Sequence, residues 1–413
     1  MQMTDERQER RRWFQFRLRT LLIAILVLSL PQSRFAVRME KARRQREVVE
    51  ELEPLGGFVA YEWESTKPPK AQKPYPVWLR GLLGDDFLFD VVQVGCSPDF
   101  DNNGAALLRR LPKLERLFLE HTDITDVGLE SLTELPNVEH LSLMGTQVTD
   151  AGLVHVASLR KLECLELFDT GITDIGLEHL RGLTCLRELH LCGTAITDAG
   201  LKQLETLTKL EHLGLERTQV TNAGLEHLAR LTRLKNLRIV RTQITDAGLV
   251  HLKGLADLQY LELSERQSSD AGLEHLKGLT NLQLLSLIGT RVSDTGLEHL
   301  SGLTNLTYLD LGGTEITNAG LERLQVLPCL DCLDLFRTDI TDAGLVHLQK
   351  LPSLLYLSLE DTEITNAGLL HLQKLVTLKD VNLIHTDVTP EGVEKLQAAL
   401  PNCQIEHRVI FHQ

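Results

Sequence analysis

The chain lacks most of the features that announce chemistry. Its seven cysteines (Cys96, Cys164, Cys185, Cys192, Cys329, Cys332 and Cys403) are scattered and odd in number, so no disulfide framework can be read from them. Cys329 and Cys332 have C-x-x-C spacing but lead into an extended segment, where residues three apart point to opposite faces. That argues against a redox or zinc role for the pair. No glycine-rich phosphate loop, nucleophile motif or metal-ligand spacing is present, so no catalytic residue, cofactor or metal is assigned and no small-molecule substrate is expected. Basic charge is scarce beyond the start: residues 47–413 hold 31 Lys/Arg against 53 Asp/Glu, within a chain of net charge −14. Nucleic acid is excluded as a partner, because phosphate neutralisation needs a basic face. Long hydrophobic runs are missing too. The longest uncharged stretch, Thr20 to Ser33, has 14 residues and is short for a spanning helix.

What the chain has is one phrase, repeated. L-x-x-L-x-L-x-x-T-x-I-T-D-x-G-L-x-x-L-x-x-L-x-x recurs twelve times without insertion from about residue 114 to residue 400, and its glycine falls every 24 residues from Gly128 to Gly392. Self-similarity at this period with an L-x-x-L-x-L core resembles leucine-rich repeats. In the first copy the apolar positions are Leu114, Leu117, Leu119, Ile124, Leu129, Leu132 and Leu135. Leu117 and Leu119 have the period-two spacing of a strand. Leu129, Leu132 and Leu135 have the three-residue spacing of one helix face. Each copy is therefore one short strand, one turn and one short helix, and only stacking buries its leucines. The predicted fold is α/β, a leucine-rich-repeat solenoid curved as a horseshoe, with parallel strands on the concave face and short helices on the convex face. Strand spacing sets its inner edge at roughly 60 Å.

Within the turn, the second Thr or the following Asp/Asn (Thr125 and Asp126, Thr221 and Asn222) predicts a helix N-cap. The first Thr fills eleven of twelve equivalent positions, from Thr122 onward, and reads as a polar column bonding backbone inside the turn. A repeated Gly near a helix start implies either positive φ or close approach of the next coil. The seventh copy departs, with Arg266 in the Thr column and Ser268 in the Ile column, which predicts local loosening or a bend. The last copy has Pro390 in place of Asp, suited to a first helical position. Asp99 to Gly104 is in phase, so a degenerate first coil is predicted from near Val91, and a closing strand from Cys403 to Ile410.

Residues 1–46 carry 12 Lys/Arg against 4 Asp/Glu around the uncharged run. The predicted organisation is a basic segment (1–19), a hydrophobic anchor or signal (20–37) and a charged helical stalk (38–54). An N-terminal cap region (55–90), the solenoid (91–400) and a C-terminal cap (401–413) follow. Trp13 to Phe16 and Phe35 to Val37 can lengthen the apolar run while Arg17, Arg19 and Arg34 snorkel. Pro31 to Arg34 offers no small-x-small cleavage site, which favours an uncleaved anchor over a cleaved signal. A membrane-associated chain with an extracytoplasmic solenoid is expected, with an exported or a cytoplasmic chain as alternatives.

The Thr-Asp-x-Gly-Leu turn, matched at Thr125 to Leu129 and, with Ser, Asn, Pro or Val at some positions, in eleven more copies, resembles the cysteine-containing and ribonuclease-inhibitor-like subclasses of leucine-rich repeats. The leader RRRWFQFRLRTLLI, LGGFVAYEWE and PVWLRGLLGDDFLFDVVQV resemble the N-terminal regions of planctomycete leucine-rich-repeat proteins. That resemblance implies membrane association and protein binding, and supplies no catalytic residue. Eukaryotic F-box substrate receptors share a similar repeat, but no F-box-like helical segment is read before residue 91.

A histidine column lies three residues after the glycine: His155, His179, His227, His251, His275, His299, His347 and His371. Repeat duplication would copy it, and it reads as a solvated helix surface, with pH response or metal binding as minor alternatives. What varies is the strand's outward face, where recognition would lie. The partner-binding candidates are Phe118, Glu166, His190, Arg238, Tyr260, Glu262, Tyr308, Asp310, Asp334 and Tyr356. Aromatic side chains dominate hot spots, and three of these are tyrosines in alternate copies. Arg217, Lys235, Arg238 and Arg241 add a basic island. The expected function is a non-catalytic protein–protein interaction module. The alternatives are an intracellular adaptor, such as a ubiquitin-ligase-type substrate receptor, and a self-associating structural surface protein.

Overall fold

A computed structural model describes residues 32–62, 64, 75–263 and 267–407 of the 413-residue chain. The apolar run through residue 31, most of the proline-rich loop, Arg266 and the end of the closing segment lie outside the described residues.

Among those residues fifteen strands form one sheet in chain order, β1 to β15. β1 (Phe58–Tyr61) is antiparallel to β2 (Val91–Gly95), and every later neighbour is parallel. From β3 (Arg116–Phe118) to β15 (Gln404–Glu406) each strand has three residues. Between them run β4 (His140–Ser142), β5 (Cys164–Glu166), β6 (Glu188–His190), β7 (His212–Gly214) and β8 (Asn236–Arg238). Next come β9 (Tyr260–Glu262), β10 (Leu284–Ser286), β11 (Tyr308–Asp310), β12 (Cys332–Asp334), β13 (Tyr356–Ser358) and β14 (Asp380–Asn382). The register is strict: Leu117, Leu141 and Leu165 lie side by side, and so do their outward neighbours. Strands sit about 4.8 Å apart, closer than the helical turns behind them can pack, so the sheet takes the inner, concave side.

Inside, the periodic leucines make one continuous core. Leu114, Leu117, Leu119, Ile124, Leu129, Leu132 and Leu135 are each at most 1% exposed, and the pattern repeats coil after coil. The first Thr column bonds inside its own turn, with Thr122 Oγ1 donating to the Leu119 carbonyl at 2.8 Å. The second Thr is the N-cap residue: the Thr173, Thr197 and Thr221 hydroxyls accept from the N–H two residues on. The Asp/Asn after it does something else. Asp150 reaches across to the next coil, where its carboxylate accepts from both the N–H and the hydroxyl of Thr173, at 2.7 and 2.6 Å.

The glycine column is explained by close approach. A Cβ on Gly176 would meet Asp150 Oδ1 at 2.4 Å. Positive φ occurs elsewhere, seven residues before the column's glycine, at His121, Gly145, Asp169, Gly193, Arg217, Arg241, Gly289, Gly313, Arg337, Asp361 and His385. Ser268 is buried in the Ile column, yet Ser269 still bonds Asp246 across the coil boundary at 2.7 Å. The final helix, Pro390–Ala399, opens with Pro at its start and Thr389 as N-cap.

The N-terminal side differs from the expected solvated stalk. One helix, α1 (Gln32–Leu52), runs through the boundary at residue 38 and lies on the first coil. Ala42, Gln45, Val48 and Leu52 are buried at helix-face spacing. Gln45 completes the edge, donating to the Phe89 carbonyl and accepting from the Val91 N–H, both at 3.0 Å. Arg110 pairs with Glu47 and Glu51, and Lys41 with Asp90 at 2.7 Å. The charge shift that suggested a stalk is the helix's outer face. Its inner face is short and includes the polar Gln45 among Ala42, Val48 and Leu52, which hid the packing. Phe35, placed with the anchor by sequence, packs on Phe87 with ring centroids 5.4 Å apart. Among the described residues no helix is long and apolar enough to cross a membrane.

Candidate partner-binding face

From β3 to β15 every outward strand position falls into one of two parallel rows, because alternate residues share a face and each strand pairs with the next in the same register. The first row runs Asn236, Tyr260, Leu284, Tyr308, Cys332, Tyr356, Asp380 along β8 to β14. The tyrosines in alternate copies are therefore not isolated. Leu284 and Cys332 fill the gaps, giving a five-residue apolar stripe about 19 Å long. Tyr260 and Tyr356 are 37% and 46% exposed, enough to offer ring faces to a partner. Burial and the carboxylates of Asp310 and Asp334 push the Tyr308 hydroxyl up to about 12, so it stays a neutral donor. Burial likewise raises the Cys332 thiol to about 11, which keeps it protonated and apolar.

The second row runs Arg238, Glu262, Ser286, Asp310, Asp334, Ser358, Asn382 beside the stripe. Its acids do not all face solvent. Asp310 is 9% exposed and accepts from the Gly312 N–H at 2.9 Å and the Ser286 hydroxyl at 3.1 Å. Asp334 accepts from the Phe336 N–H at 3.0 Å, closing the turn after its strand. Arg238 lies between Glu216 and Glu262, its Nε 2.8 and 3.0 Å from their carboxylates. The basic island is largely neutralised in the same way, with Arg217 on Asp169 at 2.5 Å and Lys235 on Glu211 at 2.6 Å. Charge there is spent inside the sheet.

The N-terminal half of the face has another character. Phe118 packs on His140 with centroids 4.9 Å apart, and His190 stacks on Phe168 at 5.3 Å. Burial lowers both imidazoles, so they are neutral at physiological pH. Glu166 lies between them, in register with Ser142 and His190. Sequence reading missed what the register assembles here: His140, Cys164 and Glu166 place one ligand atom each within 4.8 Å of one another. Their separations in the chain, 24 and 2, match no local motif and become visible only once the repeat is laid out in columns.

The histidine column is half-buried between leucines, not solvated. His227 Nδ1 lies 2.7 Å from Glu205, while His275 and His299 keep a buried Nδ1 with no partner among the described residues.

The chain matches the family model described as a leucine-rich repeat region over residues 101–362. It belongs to the leucine-rich-repeat family. Among solved structures, this leucine-rich-repeat chain is similar to an internalin from Listeria monocytogenes, at 24% identity and a TM-score of 0.57, covering 80% of this chain and 93% of that one. A leucine-rich-repeat protein of Leptospira interrogans is similar at 17% identity and a TM-score of 0.51, covering 73% and 80%. At these identities the likeness is one of fold. No curated protein matches the chain. A leucine-rich-repeat solenoid is a scaffold for protein interaction, since stacking leaves one extended surface free to vary.

Proposed function

We propose that this leucine-rich-repeat chain is a non-catalytic recognition module that binds a protein partner on its concave face, held at or exported across a membrane by its N-terminal segment. The observation that carries the binding reading is the stripe from Tyr260 to Tyr356, apolar at five successive strands beside a polar row. Amphipathic rings on a rigid scaffold lose little entropy on binding and supply large contact area. The membrane reading rests on sequence alone, on the uncharged Thr20 to Ser33 run between arginines.

Affinity capture from native membranes tests the first, with the full chain and a Tyr260→Ala/Tyr308→Ala/Tyr356→Ala variant as paired baits. A partner held by the first and lost from the second supports the stripe; identical captures, or none, reject it. Membrane fractionation tests the second, and a full-length chain found wholly in the soluble fraction would remove the anchor.

A further inference from the structure

We propose that His140, Cys164 and Glu166 form a site for one borderline-soft divalent cation of the zinc type. His140 and Cys164 are register partners on β4 and β5, and Glu166 is two residues beyond Cys164 on the same face. One ligand atom from each lies within 4.8 Å of the other two, and His140 Nε2 is 3.9 Å from the Glu166 carboxylate. Tetrahedral zinc with bonds of about 2.0–2.3 Å needs donors about 3.4 Å apart, so a small side-chain adjustment closes the set. Imidazole, thiolate and carboxylate together suit zinc and not calcium or magnesium, which take oxygen alone.

Two further observations point to a ligand. His140 Nε2 is buried with no hydrogen-bond partner among the described residues, and so is the hydroxyl of Ser142, on the same strand and fully buried. Buried polar atoms without partners are rare. The imidazole is also ready to coordinate. Phe118 packs on its ring, and burial holds it neutral against the pull of Glu166 and Glu188.

Cys164 must lose its proton to bind, and its surroundings resist a bare thiolate. Burial, Glu188 and Glu166 raise it far above the usual thiol range. The same negative field that disfavours a thiolate favours a dication. On binding, the S–H proton leaves and the sulfur lone pair forms the metal bond, so charge is exchanged within the site. Glu188, in register with Cys164 and accepting its thiol hydrogen bond, is the group beside that departing proton. Three protein donors leave a position facing the open sheet. The site is independent of the tyrosine stripe, which begins at β9.

The experiment titrates zinc into metal-free full-length protein by calorimetry, and cobalt(II) with absorbance detection of the thiolate-to-cobalt band. The expected result is one equivalent bound with a thiolate band. Cys164→Ser should abolish the band, and His140→Gln should weaken zinc binding by roughly ten-fold or more. Glu188→Gln, outside the ligand set, should weaken it by about ten-fold and keep the band. His299→Gln on the convex side should change nothing. Unchanged circular dichroism shows that each variant is folded. No saturable binding, a thiolate band that survives Cys164→Ser, or binding lost in His299→Gln would overturn the assignment.

Discussion

Asp126 holds Thr149 of the next coil twice, its Oδ1 accepting the Thr149 N–H at 2.7 Å and its Oδ2 the hydroxyl at 2.6 Å. Where the column has Asn the roles divide: Asn222 Oδ1 accepts the Thr245 N–H and its Nδ2 donates to the Thr245 hydroxyl, both at 2.8 Å. The Gly that follows is part of the same device, because a Cβ on Gly152 would stand 2.5 Å from Asp126 Oδ1. Thr, Asp and Gly of the repeated phrase thus form one clamp between neighbouring coils. It holds the register that lays the outward residues in rows.

The clamp can be weighed at Asp198, which bonds Thr221 at 2.8 and 2.6 Å. Asp198→Ala leaves a part-buried N–H and hydroxyl without their acceptor and should cost about 1–3 kcal/mol by urea denaturation. Asp198→Asn should cost much less, since Asn222, Asn318 and Asn366 already make the same pair of bonds. Equal losses in the two variants would mean the carboxylate acts through charge alone.

Three glycines separate the two reasons for glycine from none. A Cβ on Gly224 would meet Asp198 Oδ1 at 2.4 Å, so Gly224→Ala overpacks the clamp and should cost about 1–3 kcal/mol. Gly289 has open space but φ of +66°, so Gly289→Ala should cost about 1 kcal/mol from backbone conformation alone. Gly254 has neither constraint, and Gly254→Ala should be neutral or stabilising by up to about 1 kcal/mol. Denaturation midpoints of the three in a different order would contradict these assignments.

The leucine columns were legible because each copy restates them, and strand and helix periods differ. The glycine column was legible as a constraint but not as a cause. The residues that take positive φ include Arg217, Arg241 and Arg337, which carry no mark of a left-handed backbone in sequence. The binding face was half legible. The tyrosines stood out by recurrence, but that Leu284 and Cys332 join them follows from register, and that Asp310 is consumed by Gly312 follows from the turn. His140, Cys164 and Glu166 were invisible as a set because their neighbourhood is lateral across coils.

Stacking makes stability a sum over neighbours, so one inward leucine in mid-solenoid should weaken both flanking interfaces. Leu213 is 1% exposed on β7. Leu213→Ala should cost roughly 2–5 kcal/mol. A thermal melt unchanged by it would contradict a shared core.

Asp310 gives a pH signature. Burial raises its carboxyl above the usual value of 3.8, helped by Asp334 and Glu262 and opposed by the Gly312 N–H and the Ser286 hydroxyl. A raised acid holds its proton more tightly folded than unfolded. Its ionisation therefore costs stability, an effect absent below the unfolded value and growing as pH rises through the folded one. Asp310→Asn keeps a carbonyl for Gly312, as Asn382 does for Ile384 at 2.9 Å, and removes the buried charge. The variant should be more stable than the parent at about pH 7.5, and the gap should close toward about pH 4. Urea midpoints at the two pH values measure it. A gap that widens on acidification would mean Asp310 is held as a stabilising anion, its N–H and hydroxyl donors outweighing its burial.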